Sequence, residues 1–181
     1  MCSANEKQIG LAIFQYAQDN DGLMPKLSSP VNPDVTWRNT IFPYRLSKGI
    51  YQCPSRDDQK AGADGLGKTY AANDSGKGVF GRPWAKAPLL SDFPDPASLI
   101  AMCEVDSGDL PGFNIDAPTS GSDEQVLWAG HMGGGNYLFL DGHVKWFRPL
   151  DKRGRWYPNP HKLLSATGEA ILKDAQERGG R

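Results

Sequence analysis

The stretch HMGGGNYLFLDGHVKWF, residues 131–147, decides the fold. A glycine run, Gly133, Gly134 and Gly135, leads into strand-forming residues that stop at Asp141-Gly142 and resume from His143 to Phe147. Asp-Gly between two apolar runs is a strong hairpin signal. A type I′ turn needs positive φ at both central residues, which Gly adopts freely and Asp tolerates. With Asp141 and Gly142 as the loop, Leu140 faces His143, Phe139 faces Val144, Leu138 faces Lys145 and Tyr137 faces Trp146. That register gathers Tyr137, Phe139, Val144 and Trp146 on one core-building face, and a slip of one residue would turn the aromatic set outward. The three glycines are read as a structural turn. A phosphate loop would run into a helix and end in Lys followed by Ser or Thr, and a strand follows here instead.

Upstream, Ile9, Ala12, Ile13, Tyr16 and Ala17 recur at helical spacing, which predicts a helix over 4–18. Phe14 widens the apolar band and Leu11 points to the opposite side. A band this broad fits a helix buried on most sides, or one that lies on a sheet and meets another protein with its other side. Asp19-Asn20-Asp21-Gly22 is the stop signal. Beyond it the spacing predicts a short helix over 36–46 and strands over 50–53, 70–73, 88–90 and 99–104. The expected class is α+β, an N-terminal helix packed on an antiparallel sheet with long loops. Residues 1–150 form the head, and 151–181 form a C-terminal extension with a short amphipathic helix near 167–177.

Composition narrows the function. The chain has 181 residues, a formal net charge of −1 and 39% apolar residues, with a pI near 6.3 and mean hydropathy of −0.52. Nucleic-acid binding would call for a basic excess. No apolar run is long enough to span a bilayer. The cysteines, Cys2, Cys53 and Cys103, form no C-x-x-C pair. One disulfide and one free thiol fit an oxidising compartment, and composition does not choose the pair. No G-x-S-x-G elbow and no H-E-x-x-H helix occur, so no catalytic residues are assigned. A transition-metal set would have to use His131, Asp141 and His143. Structural roles suit these better: His131 bonding within the glycine loop, and Asp141 accepting from turn N–H groups. No cofactor is certain. Calcium is the best candidate, because Asp106, Asp109, Asp116 and Asp123 place hard oxygen donors on one long acidic loop.

Four landmarks carry a family resemblance. The segment CSANEKQIGLAIFQY from Cys2 to Tyr16 resembles the part that follows the membrane helix in type IV pilin-like proteins. His131 and Asp141-Gly142 have nine residues between them, as in the group with a prepilin-type N-terminus and a C-terminal H-X9-DG motif. Tyr51-Gln52-Cys53-Pro54-Ser55 resembles that group's Cys-Pro-Ser segment, and Tyr70-Ala71-Ala72-Asn73 its Tyr-x-x-Asn segment. The resemblance covers residues 2–147.

It implies a non-enzymatic pilin-like subunit or pseudopilin of a type IV pilus or type II secretion-like filament. Its partners would be other pilin-like subunits and the assembly machinery, with no nucleic acid. The protein would be extracytoplasmic, anchored in the inner membrane before assembly by a hydrophobic helix upstream of Cys2, its only membrane contact. The isolated head would be monomeric. The surplus apolar surface on residues 9–17 fits a helix built to meet a partner. The rival reading is a surface-exposed module that binds polysaccharide or protein on a pilin-like scaffold, with Trp37, Trp84, Trp128 and Trp156 as stacking platforms.

Overall fold

The computed structural model describes residues 1–44, 47–56, 65–67, 69–73, 79–104, 112–113, 131–132 and 134–147. The four candidate calcium ligands Asp106, Asp109, Asp116 and Asp123, together with Gly133, Trp128, Trp156 and the extension 151–181, lie outside them.

Helix α1 spans Cys2–Asp19. Its buried residues are Cys2, Glu6, Ile9, Gly10, Ala12, Ile13 and Ala17, a stripe at the three-and-four spacing of one helix face. Leu11 on the far side is 63% exposed. Gly10 allows a close approach to the sheet, since a Cβ there would stand 3.1 Å from Leu138 Cδ1. The helix ends where Asn20 Nδ2 donates to the Tyr16 carbonyl at 2.8 Å and the Gly22 N–H reaches the Ala17 carbonyl at 2.8 Å. Asp21 and Gly22 take φ of 53° and 81°, the left-handed conformation that satisfies the last carbonyls.

Five strands form one sheet: β1 Tyr70–Asn73, β2 Ile100–Glu104, β3 Gly112–Phe113, β4 Gly135–Phe139 and β5 Val144–Phe147. Their order is β3-β1-β2-β4-β5. Neighbours among β1, β2, β4 and β5 pair antiparallel. The short β3 adds to β1 in parallel, so the sheet is not wholly antiparallel. Helix and sheet together make the α+β class. Strands β1 and β2 are buried at every residue. Ala72, Met102 and Leu138 join Ile9, Ile13, Trp37 and Tyr51 in the core beneath α1. Ala71, Cys103, Tyr137 and Phe139 are buried as well, outside that cluster.

This double burial corrects the hairpin. The observed partners are Gly135↔Phe147, Asn136↔Trp146, Tyr137↔Lys145 and Leu138↔Val144, one residue away from the expected register. Phe139 N–H donates to the His143 carbonyl and Gly142 N–H to the Phe139 carbonyl, both at 2.9 Å. The loop therefore has three residues, Leu140, Asp141 and Gly142, of which Gly142 alone has positive φ, 89°. This is a β-turn followed by a left-handed glycine rather than a type I′ turn. Leu138, Leu140 and Val144 meet the core under α1, whereas Tyr137 and Phe139 are buried outside it and Trp146 is 42% exposed. The grouping of Tyr137, Phe139, Val144 and Trp146 on one face is thus overturned. Alternation specifies register only where one face is wet, and β4 has apolar demand on both sides.

Three further elements differ from expectation. The helix over 36–46 shortens to α2, Trp37–Thr40, followed by a 3-10 turn at Phe42–Tyr44. Thr36 Oγ1 accepts from Arg38 N–H at 3.3 Å and Asn39 Oδ1 from Thr36 N–H at 2.9 Å, but Pro43 lacks the N–H that would continue the helix. The strand over 50–53 is a 3-10 turn, Lys48–Tyr51, capped by Ser47 Oγ on Gly49 N–H at 3.1 Å. Its apolar pair Ile50 and Tyr51 is buried, and so short a run does not distinguish strand from turn. The strand over 88–90 reduces to a single bridge between Leu23 and Leu89. Among the described residues no helix is long and apolar enough to cross a membrane.

Candidate functional site

The start of α1 is covalently tied to the loop after α2. Cys2 and Cys53 form a disulfide with Cα atoms 4.9 Å apart across 51 residues of chain, and Cys103 is a buried free thiol. Cys53 is positioned by the end of the Lys48–Tyr51 turn, and its N–H donates to Thr69 Oγ1 at 3.0 Å. Tyr70, the first residue of β1, donates its hydroxyl to the Cys2 carbonyl at 3.3 Å. His131 closes the group from the sheet side, with Nε2 3.5 Å from Cys53 Sγ and 3.0 Å from Glu104 Oε1. Nε2 and Glu104 Oε1 share one hydrogen bond. The other carboxylate oxygen, Glu104 Oε2, accepts from Asn136 N–H at 2.8 Å and from Asn136 Nδ2 at 3.2 Å. One ligand-capable atom from each of Cys2, Cys53, Glu104 and His131 lies within 4.8 Å of the others.

A second carboxyl stands one helical turn beyond Cys2. Glu6 is fully buried, and among the described residues neither of its oxygens has a hydrogen-bond partner. Burial, and then the Glu104 charge, push its pKa well above the ordinary carboxylate range. Burial also raises Glu104, against the opposing pull of the Asn136 hydrogen bonds and His131. The same dry surroundings, followed by the two carboxyls, raise the Tyr70 hydroxyl and the Cys103 thiol. A thiol so shifted is held as unreactive SH. The cluster therefore serves as a covalent and hydrogen-bonded clamp between helix, loop and sheet, with an atom set suited to a soft divalent metal should the disulfide open.

His131 and Asp141-Gly142, the residues of the H-X9-DG pattern, fall in two separate places. Around His131 the backbone forms a tight turn, in which His131 N–H bonds the Gly134 carbonyl at 3.0 Å and Gly134 N–H bonds the His131 carbonyl at 3.1 Å. Met132 takes φ of 58° at its tip. Gly135 begins β4. Asp141 Oδ1 accepts from His143 N–H at 3.0 Å and pairs with His143 Nδ1. His131 Nε2 meets Cys53 and Glu104 while Asp141 meets His143, so the structure does not gather His131, Asp141 and His143 into one metal set. Trp37 is fully buried against Tyr51 and Phe80, at ring separations of 5.9 and 5.6 Å, and is no surface platform.

Sequence reasoning missed Glu6, Glu104, Asn136 and the choice of disulfide. One signal was available for Glu6, because it occupies the apolar stripe of α1 between Cys2 and Ile9. Glu104 ends a continuous apolar run, 27 residues before its imidazole partner, with no local motif to join them. Compared with protein-family models, curated proteins and solved structures, the chain finds no match.

Proposed function

We propose that this chain is the head of a non-enzymatic, pilin-like subunit of a type IV pilus or type II secretion-like filament. The observation that supports the reading is the convergence of the four sequence landmarks on one helix. Cys53 is bonded to Cys2, the Tyr70 hydroxyl meets the Cys2 carbonyl, His131 lies against Cys53, and Gly142 lies beneath Phe14. Residues that share no chemistry share the task of holding α1 on the sheet at both ends. That is the requirement of a head whose first helix transmits position to a filament. The disulfide supports an oxidising, extracytoplasmic compartment. Exposed Leu11 marks the side of α1 left for a neighbouring subunit.

The binding-module reading rests on less. Of its four tryptophans, Trp37 is core and Trp84 is 78% exposed, with the Arg82 guanidinium 5.9 Å over its ring. Trp128 and Trp156 lie outside the described residues, and among the described residues Trp84 is the one exposed ring of the four.

The test is expression of the complete gene in its own host. Processing by the prepilin peptidase and recovery of the subunit in sheared filaments or crosslinked pilin complexes are expected. Leu11→Asp should reduce that recovery while changing head stability by no more than about 0.5 kcal/mol, as at other exposed sites. A protein that is never processed and never recovered with other pilin-like subunits would end the proposal.

A further inference from the structure

The clamp at the start of α1 contains more chemistry than a clamp needs. A disulfide requires no imidazole at 3.5 Å, and no carboxylate aimed at the same imidazole nitrogen. We propose that the reduced form of this chain binds a zinc ion through Cys2, Cys53, Glu104 and His131, so that disulfide and metal are alternative closures of one site. The reading is independent of whether the chain assembles into a filament.

The four ligand atoms already lie within 4.8 Å of one another. A tetrahedral zinc site with bonds of about 2.0–2.3 Å places its ligand atoms roughly 3.3–3.8 Å apart, so small side-chain rotations suffice once the S–S bond is open. His131 Nε2 is turned toward both Cys53 Sγ and Glu104 Oε1, and the metal would take the place of that hydrogen bond. Glu104 is arranged as metal-bound carboxylates are. Oε2 is pinned by the Asn136 backbone and side chain, which leaves Oε1 to coordinate and fixes its direction. The buried Glu6 carboxyl, without a hydrogen-bond partner among the described residues, stands beside Glu104. The zinc charge would balance the two thiolates formed on reduction, so the site closes without adding net charge beside Glu6.

The chemistry balances with a phosphine and water. The phosphine attacks one sulfur and breaks the S–S bond, and water delivers oxygen to phosphorus. The products are the phosphine oxide and two thiols. Zinc then binds both thiolates with release of their two protons to solvent, and takes the lone pair of His131 Nε2, any proton there passing to solvent or to Nδ1. Cys2 is 3% exposed and Cys53 is fully buried, so reduction needs a denaturing step.

The experiment uses the full chain, reduced by a water-soluble phosphine in denaturant and refolded with or without Co²⁺ or Zn²⁺. The refolded reduced protein should take up one equivalent of Co²⁺, giving the visible bands of tetrahedral cobalt with sulfur-to-cobalt charge transfer, and Zn²⁺ should displace it. The oxidised protein should show neither band. His131→Gln and Asn136→Ala should each weaken uptake by roughly tenfold or more, whereas Cys103→Ser should leave it unchanged. If the reduced chain is unfolded without metal, restoration of its native circular dichroism by Zn²⁺ supports the site through coupled folding. A reduced chain that folds without binding cobalt, or stays unfolded with Zn²⁺ present, overturns the proposal. So does an unaltered cobalt spectrum in His131→Gln or in the double variant Cys2→Ser, Cys53→Ser.

Discussion

Gly142 lies directly under the ring of Phe14: a Cβ built on the glycine would stand 3.1 Å from Phe14 Cε2. The hairpin tip thereby touches α1 twelve residues after Cys2, where the disulfide and His131 hold its other end. At 1.5 Å of rise per residue the two grips are about 18 Å apart. This spacing converts a motif of three named residues into a cradle for most of a helix. It also explains why the glycine must be a glycine: the position combines positive φ with a ring above it.

Gly142→Val should lower the stability of the head by more than about 1 kcal/mol, because a β-branched residue is forced to the φ of 89° seen here and its side chain meets Phe14. Thermal denaturation of the purified variant checks this. An unchanged melting temperature would mean that the loop does not need its left-handed residue.

Loss of the Cys2–Cys53 bridge in Cys53→Ser should cost about 4 kcal/mol, the chain-entropy value for a loop of this length. The bridge closes 51 residues of chain, which restricts the unfolded ensemble. Chemical denaturation of the variant against the oxidised parent, without added metal, gives the difference. A change below about 1 kcal/mol would show that the helix and sheet hold together without the tie.

Stability should fall as pH rises through the mildly acidic range, and Glu6 should be a main cause. Burial, then Glu104, raise the folded-state pKa of Glu6 above its unfolded value of about 4.3. The native state therefore binds more protons than the unfolded state above about pH 4, and stability declines from there up to the raised value. Glu6→Met should reduce this slope and add about 1–3 kcal/mol at neutral pH, since it replaces an unsatisfied buried carboxyl by an apolar chain of similar length. Melting curves from pH 4 to 8 decide it: parallel profiles for parent and variant would contradict a buried, protonated Glu6.

The chain should remain monomeric at micromolar concentration in light scattering. Leu11 is the large apolar residue exposed on the middle of α1, and one such side chain falls far short of a stable interface. A tight dimer would assign the far face of the helix to self-association instead.

The parts of the fold legible in the sequence are those set by local periodicity. The buried stripe of α1, the stop at Asp19 through Gly22, the strand Tyr70–Asn73 and the existence of a hairpin at Asp141-Gly142 all follow from spacing of 3.6 or 2 and from turn chemistry. The turn over 48–51 was not legible, because Ile50 and Tyr51 would be buried in either conformation and only the Ser47 cap separates the two.

What the sequence by itself determined is where the chain coils, extends and turns, because those choices are made among neighbours a few residues apart. The tertiary structure alone decided which way the hairpin faces and what meets at the head of the helix. With apolar side chains wanted on both sides of β4, alternation carries no sign. The outcome is instead set by the fit of Leu138 beneath Gly10 and of Gly142 beneath Phe14. Likewise Cys2, Cys53, Glu104 and His131 come from four separate elements, and only the docking of α1 onto the sheet brings their atoms within reach of one another.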